Sequence, residues 1–157
     1  MKTKILEVSV SGLQKDGLRF SVDTISKELR ISKKTVYKYF SCKEDLAVAV
    51  YEKFYEDAGI RYDSILAAEK GNKFIDLLNL YYQSYCMVRE DVFNKFALNE
   101  VIRDIALKKH FEIEQKFASV LRTNDTAEVL FIVNSVFEKL NGQPLSEQIA
   151  VKLERLL

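Results

Sequence analysis

The chain of 157 residues contains 24 Lys and Arg, 23 Asp and Glu, one His and two Cys. Its 48% hydrophobic and 30% charged residues argue against global disorder, and one Pro with five Gly are too few for the turns of an all-β sandwich. Two Cys cannot form a disulfide scaffold, and no apolar run approaches the ~18–20 residues of a membrane span, so we expect a mainly helical, cytoplasmic protein without a membrane segment.

The charged residues are divided unevenly along the chain. Residues 1–45 contain ten Lys or Arg and six Asp or Glu, a net charge of +4, whereas residues 46–157 carry a net charge of −3. Seven of the ten cations fall between positions 19 and 43. A basic head on an acidic body is typical of a segment that binds polyanions, although chance clustering gives the same pattern.

Two short helices are predicted in the basic segment. Ser21 is placed to cap a helix over about 22–29, and Ser32 is placed to cap a helix over about 33–39. Arg30 lies in the tight turn between them. This arrangement is a helix-turn-helix, whose second helix can lie in the major groove of DNA.

The flanking residues predict one helix on each side of this pair. A first helix is expected to end before Gly17, which can supply a left-handed stop. A fourth helix is expected to begin at Lys43, preceded by Ser41 or Cys42, with acidic residues near its positive end. The N-terminal segment therefore predicts a three-helix domain followed by a longer helix.

The predicted second helix of the pair exposes hydrogen-bond donors and cations. Lysines there supply charge toward phosphates, and hydroxyl groups fix orientation. The outward positions are Lys33, Lys34, Thr35, Tyr37, Lys38 and Tyr39. For the two tyrosines the alternative is packing against the first helix, and for the lysines it is a solvated face.

The chain resembles the DNA-binding domain of the tetracycline-repressor (TetR) family in the run Thr35-Val36-Tyr37-Lys38-Tyr39-Phe40, followed by Ser41-Cys42-Lys43-Glu44-Asp45-Leu46. The family typically has a Thr-aliphatic-Tyr-x-aromatic-Phe run and then a Ser-Lys-Glu-Glu-Leu-like helix start. The resemblance covers Ile5 to about Phe54, one third of the chain. The chain departs from the family at Ser26 and Leu29, where Ala is usual, at Arg30, where Gly is usual, and in a shorter C-terminal domain.

The resemblance implies roles for individual residues. The positions that match Thr35, Tyr37 and Lys43 contact phosphates in the family, and the position of Ser21 approaches the DNA backbone. The positions that face the groove, where we expect base readout, match Lys33, Lys34, Lys38 and Tyr39. Because this helix has no Arg, Asn or Gln, it is expected to read shape and charge more than sequence.

Helices are predicted throughout the remaining two thirds of the chain. Gly59 is a predicted break or kink, and Gly71-Asn72 is a clearer break. A strong turn signal follows at 141–144. The predicted helices cover about 73–89, about 92–108 with a break near Asn99, a further stretch to about Leu121, about 126–140 and about 145–156.

The last two predicted helices carry apolar surfaces that suit a dimer. Two such helices from each subunit could form a four-helix bundle around a two-fold axis. The alternative is that both helices close the core of one subunit. The residues expected at the dimer interface are Val129, Val133, Val136, Phe137, Leu140, Ile149, Leu153 and Leu156.

An aromatic-rich region precedes these helices. Aromatic rings with hydroxyl tips can line a pocket for an apolar or planar ligand, although an aromatic stripe at helical spacing also forms plain core. The resemblance implies an effector site in this domain. The residues expected to line it are Phe74, Tyr81, Tyr85, Phe96 and Phe117.

The chain lacks the residue patterns of an enzyme. One His cannot build a histidine metal cluster, Cys42 and Cys86 lack a CxxC spacing, and neither a Gly-rich phosphate loop nor a GxSxG elbow occurs. We therefore expect no enzymatic activity, no metal and no cofactor. His110, which follows two lysines, is expected at the surface.

The sequence thus predicts an all-α protein with two domains. Residues 1–45 form a three-helix domain with the helix-turn-helix, and residues 46–157 form a helical-bundle domain for dimerisation and effector binding. The expected function is a homodimeric, sequence-specific regulator, most simply a repressor, that binds a palindromic double-stranded operator and responds to a small-molecule effector. The alternative is a TetR-like co-regulator that binds a partner protein.

Overall fold

The computed structural model describes residues 1–16, 21–95 and 99–157. These residues form nine helices and no strand, which confirms the all-α fold class. The helices are α1 (Lys2–Asp16), α2 (Val22–Leu29), α3 (Lys33–Tyr39), α4 (Lys43–Ala67), α5 (Lys73–Met87), α6 (Glu90–Lys95), α7 (Glu100–Ala118), α8 (Thr126–Leu140) and α9 (Glu147–Leu156). None of the helices in the described ranges is long and apolar enough to cross a membrane.

The chain divides into two compact units. Unit 1 comprises Met1–Asp57 and Met87–Leu107, and unit 2 comprises Ala58–Cys86 and Lys108–Leu157. This division follows packing, whereas the predicted boundary after residue 45 concerns function and stays a prediction.

Unit 1 contains α1, α2 and α3, packed in sequence around a small apolar core. Ile5 of α1, Ile25 of α2 and Val36 of α3 have no exposed surface, and Phe40 is also buried. Each helix is too short to be stable alone, so this shared apolar contact holds the three together. Farther along the chain, the Tyr51 hydroxyl donates a 2.5 Å hydrogen bond to the carbonyl of Met87.

Unit 2 has a core of aromatic and aliphatic side chains from α5, α7 and α8. The Tyr81 ring stacks on Phe117, with centroids 5.2 Å apart, and meets Phe137 edge-on at 5.1 Å. All three rings are buried. Burial of such large rings contributes strongly to the stability of a domain core.

The helix boundaries in the first third of the chain confirm the local predictions, including both serine caps. The predicted stop at Gly17 lies outside the described residues. Asn99 precedes α7 at the predicted break, and its Oδ1 accepts a 3.0 Å hydrogen bond from the Ile102 amide.

Two predicted breaks were wrong. α4 runs through Gly59 without interruption, because neighbouring Tyr55 and Ala58 are buried and hold the helix by packing. α7 continues from Glu100 to Ala118 without the predicted end near residue 108, because Ala106, Ile113 and Phe117 form one buried stripe. In both places tertiary packing outweighs local signals.

Candidate nucleic-acid interface

The two helices of the helix-turn-helix begin at serine caps. Ser21 Oγ accepts a 3.4 Å hydrogen bond from the Thr24 amide at the start of α2. Ser32 Oγ accepts a 3.1 Å hydrogen bond from the Thr35 amide at the start of α3. The capping hydroxyls also contact the Thr24 and Thr35 hydroxyls, at 3.2 and 2.9 Å. These caps fix where each helix N-terminus, with its partial positive charge, begins.

Arg30 forms the turn between α2 and α3 in a left-handed conformation. Its φ is 54° and its ψ is 44°, and its amide donates to the carbonyl of Lys27 at 3.2 Å. The Ile31 amide donates to the carbonyl of Ser26 at 2.9 Å. A residue with a Cβ atom is strained in this conformation, so the turn stores free energy that glycine would not.

α3 is anchored by one side and exposes the other. Val36 is fully buried and Phe40 is nearly so, and both point into the core of unit 1. Lys34 and Lys38 lie one turn apart on the opposite side, and both are exposed. The tyrosines flank them, with 43% of Tyr37 and 40% of Tyr39 accessible to solvent. The helix therefore presents cations and hydroxyl groups outward on a rigid support.

The remaining predicted DNA contacts also lie in unit 1. Lys33 and Lys43 are exposed, whereas Thr35 and Ser21 are half-buried because their hydroxyls take part in the caps. Lys43 is the first residue of α4, and Cys42 Sγ accepts a 3.5 Å hydrogen bond from the Asp45 amide as the cap of that helix. The structure thus brings the eight residues to three helix N-termini and one exposed helix face. Their contacts with DNA stay a prediction.

One acidic residue beside this surface escaped the sequence analysis. Asp23, in the first turn of α2, forms a 2.6 Å ion pair with Lys33. The hydrogen bond and charge of Asp23 raise the pKa of Lys33 above its usual value. From a sequence, ion pairs are predicted between residues three or four positions apart on one helix. Asp23 and Lys33 are ten positions apart and lie on two helices, so their spacing does not indicate the pair.

The described residues that were predicted to line an effector pocket lie in different surroundings, and their contact with an effector stays a prediction. Tyr81 and Phe117 are buried in the core of unit 2, and Tyr85 is half-buried. Phe74 is half-buried and lines a surface cleft of about 470 Å³ within the same unit. Phe96 lies outside the described residues.

A buried polar network accompanies these rings. The Tyr81 hydroxyl donates to Glu114 and also lies 2.8 Å from Asn134 Oδ1. Burial, together with the bond to Glu114, raises the pKa of Tyr81. The network satisfies the Tyr81 hydroxyl, which the surrounding core removes from water.

His110 belongs to the same region, and the prediction that it lies on the surface was wrong. Its Nδ1 is 2.8 Å from the Ser84 hydroxyl, and its ring stacks on Tyr81 with centroids 5.5 Å apart. Burial lowers its pKa to about 4. The signal was available in the sequence, because position 110 continues the buried stripe of Ala106 and Ile113 on α7. In the part of the chain that the structure describes, no three His, Cys, Asp or Glu side chains lie close enough together to hold a metal ion.

The eight predicted dimer residues fall into three groups by their exposure. Four are buried inside unit 2 and help close its own core, namely Val129, Val133, Phe137 and Leu153. Three are half-buried along a groove between α8 and α9, namely Val136, Leu140 and Ile149. Leu156 is exposed, and Phe131, which the sequence analysis did not single out, is 74% exposed beside the groove.

The fold and the exposed face of α3 define the class of protein, an all-α protein with an N-terminal helix-turn-helix. Residues 5–50 match the family described as bacterial regulatory proteins, tetR family. This match covers the segment in which the sequence resembles that family, and it confirms the resemblance.

Solved structures extend the likeness of the fold to nearly the whole chain. The ketosteroid transcriptional regulator KstR2 of Mycobacterium tuberculosis matches with a TM-score of 0.59 and 15% identity, over 99% of this chain and 91% of that chain. The TetR family transcriptional regulator PfmR from Thermus thermophilus matches with a TM-score of 0.55 and 16% identity, over 98% of this chain and 96% of that chain. Among curated proteins, none matches the chain.

Proposed function

We propose that the protein is a homodimeric, cytoplasmic transcriptional repressor that binds a palindromic operator and is released by a small-molecule effector. The observation that carries the proposal is the outward face of α3, where exposed lysines and tyrosines stand on a helix anchored by buried Val36. Ammonium groups neutralise phosphates and donate to guanine, and the two capped helix N-termini attract phosphate oxygens.

The groove between α8 and α9 supports the dimer. Phe131 is largely exposed and lines the groove, whose other walls are mainly apolar side chains. A contiguous apolar surface of this kind is typical of a protein interface. Two helix-turn-helix heads, set about 34–36 Å apart, are also what a palindromic site requires.

The test is binding of the purified protein to the DNA upstream of its own gene, at two salt concentrations, with the molar mass measured in parallel. A dimer is expected to bind this DNA specifically, with affinity that falls steeply as salt rises. The double variant Lys33→Ala, Lys34→Ala should bind more weakly and lower the salt slope by roughly two units. The double variant Lys108→Ala, Lys109→Ala is the control for the loss of two charges elsewhere, because these exposed lysines lie on α7, outside α3 and outside the groove between α8 and α9.

Other results contradict the proposal. Unchanged binding by the double variant would place the DNA contacts away from α3. A dimer that binds all sequences weakly and alike would favour the co-regulator that acts through a partner protein.

A further inference from the structure

A cleft in unit 2 has the size and lining of a ligand site. Its volume is about 470 Å³, and drug-sized ligands occupy sites of about 300–1,000 Å³. The walls come from the end of α4, the start of α5, the segment between α7 and α8, and α9. Parts of the chain that are distant in sequence therefore meet around one opening.

The interior of the cleft is apolar. Phe74 and Leu77 of α5 and Val129 of α8 line it. Leu77 and Val129 are both buried, so they form its floor. The aromatic cluster around Tyr81 is different, because its rings pack on one another and its hydroxyl is already hydrogen-bonded to Glu114 and Asn134. Of the four proposed aromatic residues that the structure describes, Phe74 is the one that lines this cleft.

The rim of the cleft carries two cations and one carboxylate. Lys73 and Arg122 are exposed at the rim, together with the half-buried Glu154. The two oxygens of Glu154 each lie 2.9 Å from Asn72 Nδ2. The ammonium of Lys73 donates to the carbonyl of Leu66 at 2.8 Å. Among the described residues neither cation forms an ion pair, the carboxylate of Glu154 is paired with an amide, and both cationic side chains line the cleft.

We propose that this cleft binds an amphiphilic organic anion. The apolar tail lies against Phe74, Leu77 and Val129, and the anionic head group lies between Arg122 and Lys73. Apolar contact supplies most of the binding free energy, and charge-assisted hydrogen bonds from the guanidinium fix the head group. A cationic amphiphile is disfavoured because its head would meet two like charges.

The regulatory consequence rests on the function proposed above. Leu66 lies in the last turn of α4, so a head group that draws Lys73 away from the Leu66 carbonyl changes how α4 ends. If the protein is a repressor, the anion is its effector, and it acts only through a difference in affinity between the two states of the protein.

The experiment compares three probes of equal tail length by calorimetry on the full chain: decanoate, decanol and decyltrimethylammonium. Decanoate is expected to bind about tenfold more tightly than decanol, since one charge-assisted hydrogen bond is worth this factor at an exposed rim. Arg122→Gln should remove that advantage, leaving decanol binding unchanged. Arg155→Gln is the matched control, because it removes the same charge from α9 at a position that does not line the cleft.

A fluorescent reporter at the cleft tests whether decanoate binds there. The chain contains no tryptophan, so the indole of a Leu66→Trp variant is the only one present. Its emission is expected to change as decanoate binds, with the same dissociation constant as calorimetry gives. Binding without a change in emission would put the acid elsewhere and overturn the proposal. Equal affinity for decanoate and decanol, or equal effects of the two Gln variants, would overturn it as well.

These measurements use the protein without DNA, so they do not depend on operator binding. If the protein binds decanoate in the cleft but does not bind the operator specifically, only the proposed repressor function is refuted. A specific operator complex in a protein that fails to bind decanoate would refute the ligand class alone.

Discussion

The carboxylate of Asp23 lies 2.6 Å from the ammonium of Lys33, and so joins the first turn of α2 to the first residue of α3. Both side chains are 57% exposed, so water and salt weaken the pair and its contribution to stability is small. Its importance is for binding, because it places a negative charge where DNA phosphates are expected. Lys33 must leave Asp23, or share its charge, to contact a phosphate.

Asp23→Asn is therefore expected to strengthen binding to a random-sequence duplex several-fold at low salt. It removes the repulsion of phosphates and releases Lys33, so the slope of log affinity against log salt should steepen by about one unit. Binding to the operator should gain less, because contacts with bases are unchanged. Fluorescence anisotropy with both duplexes over a salt series measures the difference.

A double-mutant cycle separates the pair from general charge. In the Lys33→Ala background, Asp23→Asn should change the affinity for DNA only as much as Glu28→Gln does. Glu28→Gln is the control because it removes an exposed carboxylate from the other end of α2. If Asp23→Asn acts equally with and without Lys33, the ion pair has no role in DNA binding.

Arg30→Gly is expected to stabilise unit 1 by roughly 0.5–1 kcal/mol. The φ of 54° strains a residue with a Cβ atom, whereas glycine adopts this conformation readily. Arg30→Ala removes the same charge and keeps the Cβ atom, so it should give no comparable gain. Urea denaturation of the three proteins tests the strain, and equal stabilities of the two variants would contradict it.

Ser26→Ala should also stabilise the protein, by up to about 1 kcal/mol. Ser26 is buried, and its hydroxyl has no hydrogen-bond partner among the described residues. Its removal relieves an unmet polar group in the core of unit 1. Ser9→Ala is the control, because the buried Ser9 hydroxyl donates to the Ile5 carbonyl at 2.6 Å and its loss removes a satisfied bond. The midpoint temperature of thermal unfolding should be higher for Ser26→Ala than for the wild type. For Ser9→Ala it should be equal to that of the wild type or lower.

The helix-turn-helix could be read from the sequence because its signals are local. Ser21 and Ser32 cap helices that begin at the next residue, and Val36 and Phe40 mark the buried side of α3 within five positions. The tight turn at Arg30 followed from the short spacing between the two predicted helices. Each of these inferences uses residues within one turn of a helix, where spacing determines which side chains meet.

Features formed by distant residues could not be read in this way. Ser84 and Tyr81 lie against the half-buried His110 ring, 26 and 29 positions earlier in the chain, so the spacing along α7 indicates that this residue faces inward but does not indicate these partners. The cleft at Phe74 needs Arg122 and Glu154 from two other segments. Gly59 was read as a break because glycine weakens an isolated helix, whereas packing of the neighbouring buried side chains decides the result in the folded chain.

His110 makes stability depend on pH between about 6.5 and 4. Its folded pKa of about 4 is below the ordinary 6.5, chiefly because of burial, with the Glu114 carboxylate opposing the shift. The unfolded chain takes up the proton first as pH falls, so the stabilising effect of the neutral ring is complete above pH 6.5 and lost progressively toward pH 4. The full change is about 3 kcal/mol, from the size of the shift.

Urea denaturation of the wild type and of His110→Gln, from pH 7 to pH 5, measures this dependence. The difference in unfolding free energy between them should change with pH, while the carboxylates common to both proteins cancel. A constant difference would mean that His110 has the same pKa in the folded and unfolded states.

Phe131→Asp is expected to convert the dimer into folded monomers. Phe131 is 74% exposed in one subunit, so its replacement leaves the core of unit 2 intact, but it puts a charge on the proposed interface. Phe111→Asp changes an exposed Phe on α7 of the same unit and should stay dimeric. Molar mass by light scattering, with circular dichroism for folding, distinguishes the two. A dimeric Phe131→Asp protein would move the interface away from α8.

The cations that α3 exposes are all primary amines, since the helix contains Lys33, Lys34 and Lys38 and no arginine. Acetylation of such a side chain deletes its charge, whereas methylation keeps it. Guanidinium groups would not respond to an acyl donor in this way. The proposed contact of this helix with a polyanion is consequently adjustable one unit of charge at a time by acylation, without any change in the amino-acid sequence or in the packing around Val36.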